Sequence, residues 1–507
     1  MSEKNKALIK TLLTSGIAVV LSYLINFFLT PFITDTAGTE AYGFVTLAKT
    51  AVNYISIITV AFTAFIVRYI TLAYHRKNYE EANAYYSSSI LAVFGLSLVV
   101  LFIAIVVIIF MPHILTVPNN LILAVRILFL LVFANFCITT ITVPFTATYY
   151  INNTLSYYNA FRALSYVIEA ATLILLFSVF PTRIWYVGIG LMAASATIFA
   201  GSVIMSKKRN PELRFNRREA SLTKVRTLAQ NGIWQSINSL GTTLNNGLDL
   251  LISNEMLSSL VMGQLSITKN ICMIFSVMYS TISQAFQPRL LKAYASNDKM
   301  GFLKELKLAM RVSGFFSSCT FAGFFALGRL YYKLWIPNQD YNYIYILTVI
   351  SVFSGVVEGV IYPTYYVNTL TTKKKIPCLV TVTNGLLNVI SMYFLITYTD
   401  LGAYAVILTT VVLAFINSIG FSAIYCPVTL KLPWYSLYST IIRHLMGCAV
   451  MCIAFMVVQK ITHPTSWITL IVSAVIMVIV GAFLYALLVT NLSEKRTIAK
   501  KLLNRVV

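Results

Sequence analysis

The chain has 507 residues, of which 58% are hydrophobic and only 11% charged, and a mean hydropathy of +0.79. Soluble domains carry about 25% charged residues, so a water-soluble globular protein is excluded and a polytopic membrane protein remains. The net charge of +22 is read as attraction to anionic lipid headgroups rather than to nucleic acid, for reasons that follow from where the charges fall.

Windows of about 20 residues predict fourteen helical spans in chain order. The first six lie at 10–33, 42–68, 87–111, 121–148, 157–180 and 184–206; the next six at 228–253, 259–287, 305–329, 343–370, 376–398 and 402–426; the last two at 438–460 and 467–491. The first run is too long for a signal-peptide core and is read as a retained span. With the N-terminus placed in the cytoplasm, segments on that side hold 31 Lys and Arg residues and outer segments five, the other two being Lys49 and Lys269 inside spans. That asymmetry is what the positive-inside rule demands. It places both termini in the cytoplasm.

The loops are short, and 207–226 is the longest and most basic. No soluble catalytic domain fits, and no Walker motif is present; Gly263 to Lys269 lacks the second glycine and the following Ser or Thr. The seven cysteines sit in or beside apolar runs without paired spacing, and the four histidines are scattered. The expectation is therefore a non-enzyme with no cofactor, no metal and no nucleic-acid partner.

A shift of 220 residues lays AYGFVTLAKT (41–50) on VMGQLSITKN (261–270), so that Gly43 meets Gly263 and Lys49 meets Lys269. Tyr149-Tyr150-Ile-Asn-Asn-Thr-Leu likewise resembles Tyr365-Tyr366-Val-Asn-Thr-Leu, each after a proline, Pro144 and Pro363. Two halves of six spans share one orientation, and such parallel repeats place substrate between the halves. The expected fold is all-α and polytopic: about fourteen transmembrane helices forming two pseudo-symmetric six-helix lobes plus two C-terminal helices around a central cavity. The lobes are assigned to 1–206 and 228–430, joined by a basic cytoplasmic linker at 207–227, with 431–507 holding spans 13 and 14 and a basic tail.

Polar residues recur at helical spacing. Span 2 carries Thr46, Lys49, Asn53 and Ser56 on one face; span 8 carries Ser266, Lys269, Ser276 and Ser280; span 7 carries Gln235, Asn238, Thr242, Asn245 and Asp249; span 1 carries Ser15, Ser22 and Asn26. Lipid cannot satisfy such faces, so they meet another helix or water. Ser and Thr pack well between helices, while a long stripe holding Lys or Asp argues for a wet cavity. A charge at a span centre costs ~2.5–3.5 kcal/mol on insertion scales. Lys49, Arg126, Glu169 and Glu358 therefore each invite either snorkelling, pairing or function; Asp249 is placed near an outer rim. Pro31, Pro144 and Pro363 are candidate kinks.

Fourteen spans in two halves, with a glycine shortly before polar spans 2 and 8, resemble the polysaccharide exporters. These are the lipid-linked oligosaccharide flippases of the multidrug/oligosaccharidyl-lipid/polysaccharide superfamily. The opening TLLTSGIAVVLSYLINFFLTPFITDTAGTEAYGFVTLAKT, with its Glu40-Ala41-Tyr42-Gly43 turn, looks like that family's first hairpin. The resemblance implies a cavity lined by spans 1, 2, 7 and 8 and transport of an undecaprenyl-phosphate- or pyrophosphate-linked glycan from inner to outer leaflet by alternating access. Lys49 and Lys269 would hold phosphate, Asn26, Asn53, Gln235, Asn238, Asn245, Asp249 and Arg126 would line the cavity, and Glu169 and Glu358 are candidates for ion coupling. The implied partners are a lipid-linked glycan for capsule, teichoic acid or a similar polymer, anionic membrane lipids, and envelope glycosyltransferases or a polymerase. Two alternatives stand beside this: a drug or organic-cation antiporter of the same superfamily, whose cavity should be acidic or aromatic, and a non-transporting scaffold for envelope synthesis.

Overall fold

The computed structural model describes residues 3–295, 298–371, 373 and 375–489. Among them the chain is helical throughout, with short 3-10 and π turns and no strand. It divides between Ser266 and Ile267 into two compact units.

Unit 1 contains α1 (Glu3–Thr36), α2 (Thr39–Thr63), α3 (Ile66–His75), α4 (Tyr79–Ile114), α5 (Ile122–Thr142), α6 (Ala147–Ile151), α7 (Leu155–Val179), α8 (Tyr186–Arg209), α9 (Leu222–Asn246) and α10 (Asp249–Met256). The chain passes into unit 2 within α11 (Ser259–Gln284). Unit 2 continues with α12 (Gln287–Ala295), α13 (Lys299–Trp335), α14 (Tyr341–Ile361), α15 (Tyr365–Leu370), α16 (Lys375–Tyr398), α17 (Ala403–Phe415), α18 (Ala423–Thr429), α19 (Tyr438–Thr462) and α20 (Trp467–Val489).

Among the described residues, thirteen helical stretches are long and apolar enough to cross a membrane. The expected span at 228–253 is present as α9 and α10, yet it is not one of the thirteen. Gln235, Asn238, Thr242 and Asn245 on its polar face dilute its hydropathy without unwinding it, because a helix satisfies its own backbone whatever its side chains.

The repeat is written in secondary structure far more clearly than in identities. Corresponding helices begin at Thr39 and Ser259, Ile66 and Gln287, Tyr79 and Lys299, Ile122 and Tyr341, and Leu155 and Lys375, which are offsets of 219–221 residues. Each half interrupts its second long helix at one place, after Thr63 and after Gln284. Each also caps the next helix with an Asx side chain: Asn78 accepts from the Glu81 amide at 3.1 Å, and Asp298 accepts from the Gly301 amide at 2.9 Å. Pro144 and Pro363 fall in matching 3-10 turns, Val143–Thr146 and Tyr362–Thr364. A proline lacks the amide that α-helix needs and crowds the preceding turn, and a 3-10 turn accommodates both faults. Pro31, by contrast, lies inside an uninterrupted α1.

The helices α9 and α10, which the repeat groups with the second half, pack in unit 1. The reason is a close crossing of α9 and α2. A Cβ on Gly232 would lie 1.8 Å from the Ala61 carbonyl oxygen, so only glycine admits this approach. Further along the same pair, the Tyr54 hydroxyl donates to the Gly247 carbonyl at 2.5 Å. The starts of α2 and α11 also meet glycine on glycine: a Cβ on Gly43 would be 2.9 Å from Gly263 Cα, and one on Gly263 would be 2.3 Å from the Thr39 carbonyl oxygen.

Of the linker expected at 207–227, the ends are helical, since α8 runs to Arg209 and α9 begins at Leu222. The intervening strap is stitched to unit 1. The Arg214 amide donates to Asn83 Oδ1 at 3.0 Å, the Asn216 amide to Ser87 Oγ at 2.9 Å and the Ser221 amide to Ser88 Oγ at 2.8 Å. Leu213 and Leu228 enter an apolar cluster with Ile66, Ile70 and Tyr85, and Lys224 pairs with Glu81 at 3.1 Å. A segment bonded through its backbone amides cannot swing freely, so it fixes where α9 starts.

Candidate functional site

Along the α2 stripe the hydroxyls turn back on their own helix. Thr46 Oγ1 donates to the Tyr42 carbonyl at 3.2 Å, Ser56 Oγ to the Asn53 carbonyl at 2.8 Å and Thr63 Oγ1 to the Thr59 carbonyl at 3.1 Å. The same holds on α9, where Thr242 Oγ1 donates to the Ser239 carbonyl at 2.9 Å and Asn245 Nδ2 to the Gly241 carbonyl at 2.7 Å. On α1, Asn26 Nδ2 donates to the Ser22 carbonyl at 2.9 Å. These bonds occupy one donor of each of these side chains within its own helix; the remaining polar capacity of the stripes still calls for protein or water. Asn53, Gln235 and Thr242 are exposed, and Asn26, Asn238 and Asn245 half-buried.

Lys49 is half-buried midway along α2. Across from it, within electrostatic range, stands Glu169 of α7, with Tyr166 one turn earlier. Glu169 is only 5% exposed. Gly190 of α8 lies alongside it: a Cβ there would sit 3.4 Å from Glu169 Cγ, an ordinary contact, and 3.1 Å from Leu173. Tyr23 of α1 interacts with Tyr166 from the other side. Lys49 and Glu169 are thus within electrostatic reach of each other across separate helices, a proximity that helical spacing could not reveal.

Asp249, expected at a rim open to water, is 4% exposed. It occupies the first turn of α10, where helix dipoles favour a carboxylate, and it interacts with Tyr54 of α2. Arg126 lies apart from the stripes. In the first turns of α5, its Nη2 donates to the Ile109 carbonyl of α4 at 3.4 Å.

In unit 2, Lys269 is half-buried on α11 and acts electrostatically on Cys272 one turn along. Glu358 of α14, also half-buried, reaches the same Cys272 and the hydroxyls of Tyr279, Tyr362 and Tyr365. Each unit thus holds one stripe lysine and, near tyrosines, a carboxylate within a predicted span, Glu169 in unit 1 and Glu358 in unit 2, although these two occupy non-equivalent spans; unit 1 holds the buried Asp249 as well.

Sequence reasoning missed His444. It is fully buried in α19. Its Nε2 donates to the Val356 carbonyl of α14 at 2.8 Å, which leaves Nδ1 as acceptor for the hydroxyls of Tyr485 of α20 at 2.9 Å and Ser318 of α13 at 3.3 Å. One imidazole therefore ties four helices together. The available signal was a histidine inside an apolar span, which is expensive unless its ring nitrogens are satisfied.

Long apolar helices, an internal repeat and polar helix faces define an all-α polytopic membrane fold, and solved structures agree on that fold. The structure described as lipid II flippase MurJ in an inward closed conformation superposes with a TM-score of 0.68 at 14% identity, covering 93% of this chain and 98% of that one. An inward-facing multidrug resistance MATE family transporter of the MOP superfamily follows with a TM-score of 0.63 at 12% identity, covering 82% of this chain and 99% of that one. The chain belongs to the polysaccharide biosynthesis protein family, whose sequence model matches residues 8–293. It is also 27% identical over 484 residues, 96% of each chain, to the uncharacterized membrane protein EpsK of Bacillus subtilis (strain 168).

Proposed function

We propose that this protein is a flippase that carries a lipid-linked saccharide, an undecaprenyl-phosphate- or pyrophosphate-linked precursor of a cell-envelope polymer, from the inner to the outer leaflet by alternating access. The observation that carries the reading is the pair of repeat-matched lysines. Lys49 and Lys269 lie at the same place on equivalent helices, each half-buried on a polar face. A lysine costs too much inside a span to be kept for packing, and an ammonium approaches phosphate from many angles. The uncovered amide of Gln235 and hydroxyl of Thr242 on α9 suit the sugar hydroxyls of such a substrate.

The rest of the reading follows. The lobes are 1–206 and 228–430, both termini are cytoplasmic, and the basic segments bind anionic lipid. Glu169 and Glu358 are the candidates for ion coupling, and the glycosyltransferases that build the precursor are the expected neighbours. An organic-cation antiporter is the weaker alternative, since Glu169, one of two buried carboxylates in unit 1, lies within electrostatic reach of a lysine.

The test is reconstitution in vesicles with a fluorescent short-chain prenyl-pyrophosphate saccharide, scoring its accessibility in the outer leaflet. Lys49→Ala and Lys269→Ala should each slow flipping at unchanged protein yield, and the double variant should abolish it. Full activity in the double variant would reject the reading, as would transport of an organic cation in place of the saccharide.

A further inference from the structure

The two units finish one corner in different ways. In unit 1 an apolar cluster holding Ile70, Ala73, Ala82 and Tyr86 is joined by Leu213 of the strap. Shifted by 220, these positions are Leu290, Ala293, Phe302 and Leu306. They gather in unit 2, and Leu430, Leu432 and Leu437 from the turn after α18 pack there. Beside the first cluster the Tyr74 hydroxyl donates to Glu212 Oε2 of the strap at 3.1 Å. Tyr294 stands at the matching position of unit 2. Residues 430–437 offer it no acidic side chain, and among the described residues its hydroxyl makes no hydrogen bond.

A cavity of about 350 Å³ lies there instead. Tyr294 lines it from the end of α12, Asp298 and Lys299 from the start of α13, Thr371 from the chain after α15, and Lys431 from the turn after α18. Asp298 is already engaged as the cap of α13, its Oδ1 accepting from the Gly301 amide at 2.9 Å. The two lysines are exposed, and among the described residues neither ammonium makes a hydrogen bond or ion pair. With the Tyr294 hydroxyl they give the cavity three donors from three segments.

Lys431 is held at this cavity against its backbone preference. It takes φ +58° and closes α18 with its amide on the Val428 carbonyl at 3.0 Å and the Leu432 amide on the Pro427 carbonyl at 2.9 Å. Glycine is the usual residue in such a cap, because a side chain is strained at positive φ. Residues kept in strained conformations cluster at ligand sites. Lys77 closes α3 in the same conformation and is no part of the lining, so it serves as an internal control.

We propose that this cavity binds a phosphate monoester, with Lys299, Lys431 and Tyr294 holding its three terminal oxygens. A carboxylate offers two oxygens and a phosphoryl group three, and lysine meets phosphate as a point charge. The volume falls within the range of small-ligand sites and leaves room for an organic body beside the phosphate. The bound ester joins the start of α13 to the turn after α18, the corner that Glu212 and Leu213 of the strap close in unit 1. The group comes either from a soluble ester or from the headgroup of phosphatidic acid. No lining residue belongs to the polar stripes, so the site stands apart from the flippase reading.

The full-length protein in phosphatidylcholine nanodiscs is titrated with uridine monophosphate and with uridine, by calorimetry and by thermal unfolding. The monophosphate should bind and raise the unfolding temperature; uridine should do neither. Lys431→Gly should weaken the monophosphate about tenfold while unfolding at or above the wild-type temperature, since glycine relaxes the turn. Lys77→Gly relaxes the same kind of turn outside the cavity and should leave binding unchanged. Tyr294→Phe should weaken binding roughly threefold. A second arm adds phosphatidic acid to the nanodiscs. Unchanged affinity for the monophosphate there would assign the site to a soluble ester. Displacement of the monophosphate by a lipid that stabilises wild type and not Lys431→Gly would assign it to the headgroup, and either result upholds the phosphate site. Equal binding by wild type and Lys431→Gly would overturn it, as would uridine binding as tightly as its monophosphate, or a wild type that responds to neither phosphate.

Discussion

Gly232→Ala is the sharpest test of how the striped helices are held. The added methyl would sit 1.8 Å from the Ala61 carbonyl oxygen, where ordinary contact begins near 3.4 Å. The two helix backbones must therefore part by about 1.6 Å at that point. No side chain can rotate away, because the obstructing atom is backbone. Overpacking costs typically ~1–3 kcal/mol, and a backbone obstruction belongs at the upper end. The Tyr54–Gly247 hydrogen bond is strained by the same separation. For a unit of this size the loss corresponds to roughly 5–10 °C in unfolding temperature. The matched control is Gly95→Ala, at a helical glycine with nothing within 4 Å of the new methyl, which should be neutral or slightly stabilising because alanine is the better helix former. The assay is thermal unfolding in detergent followed by size-exclusion chromatography. Gly232→Ala melting together with Gly95→Ala would refute the close crossing of α2 and α9, and with it the explanation of why α9 packs in unit 1.

Two further outcomes follow from the packing. His444→Ala should destabilise unit 2 by about 3 kcal/mol or more, since it opens a cavity and removes the ring's bonds to Ser318, Tyr485 and the Val356 carbonyl at once; limited proteolysis between α19 and α20 should accelerate, and an unchanged cleavage rate would contradict the four-helix tie. Lys224→Ala should cost no more than ~1 kcal/mol, because the Glu81 pair is about a third exposed, and the loss should shrink as salt rises. It should still exceed that of Glu81→Ala, since Lys224 also stacks 4.4 Å above the Tyr85 ring; unfolding temperatures across a salt series compare the two.

Element type was legible because lipid leaves the backbone one option in most of this chain. The matched break sites were legible only in outline. Lys49 and Lys269 aligned by eye, but the Asx caps at Asn78 and Asp298 and the paired interruptions after Thr63 and Gln284 repeat in geometry while the residues around them differ. What sequence could not give is partnership between helices distant in the chain. Glu169 lies 120 residues from Lys49, on a helix whose facing direction no periodicity fixes. The strap at 210–221 read as a linker because its residues are basic and polar, and its docking depends on Ser87 and Ser88, which look like ordinary small residues in a span.

The helix hardest to recognise as a membrane span is the one whose polar face the proposed transport would use. A helix that fails an apolarity test persists in a membrane only when protein or water covers its polar face. In α9 the covering is divided. Gly232 seats one side on α2, and the strap anchors its start. An adjoining face keeps Gln235 and Thr242 exposed, polar groups suited to water and not to acyl chains. On the proposed function, the low hydropathy of α9 makes its exposed polar face the candidate route. Replacing Gln235 and Thr242 together by leucine should therefore raise the stability of α9 in lipid and slow flipping at the same time. Faster or unchanged flipping would place the route elsewhere.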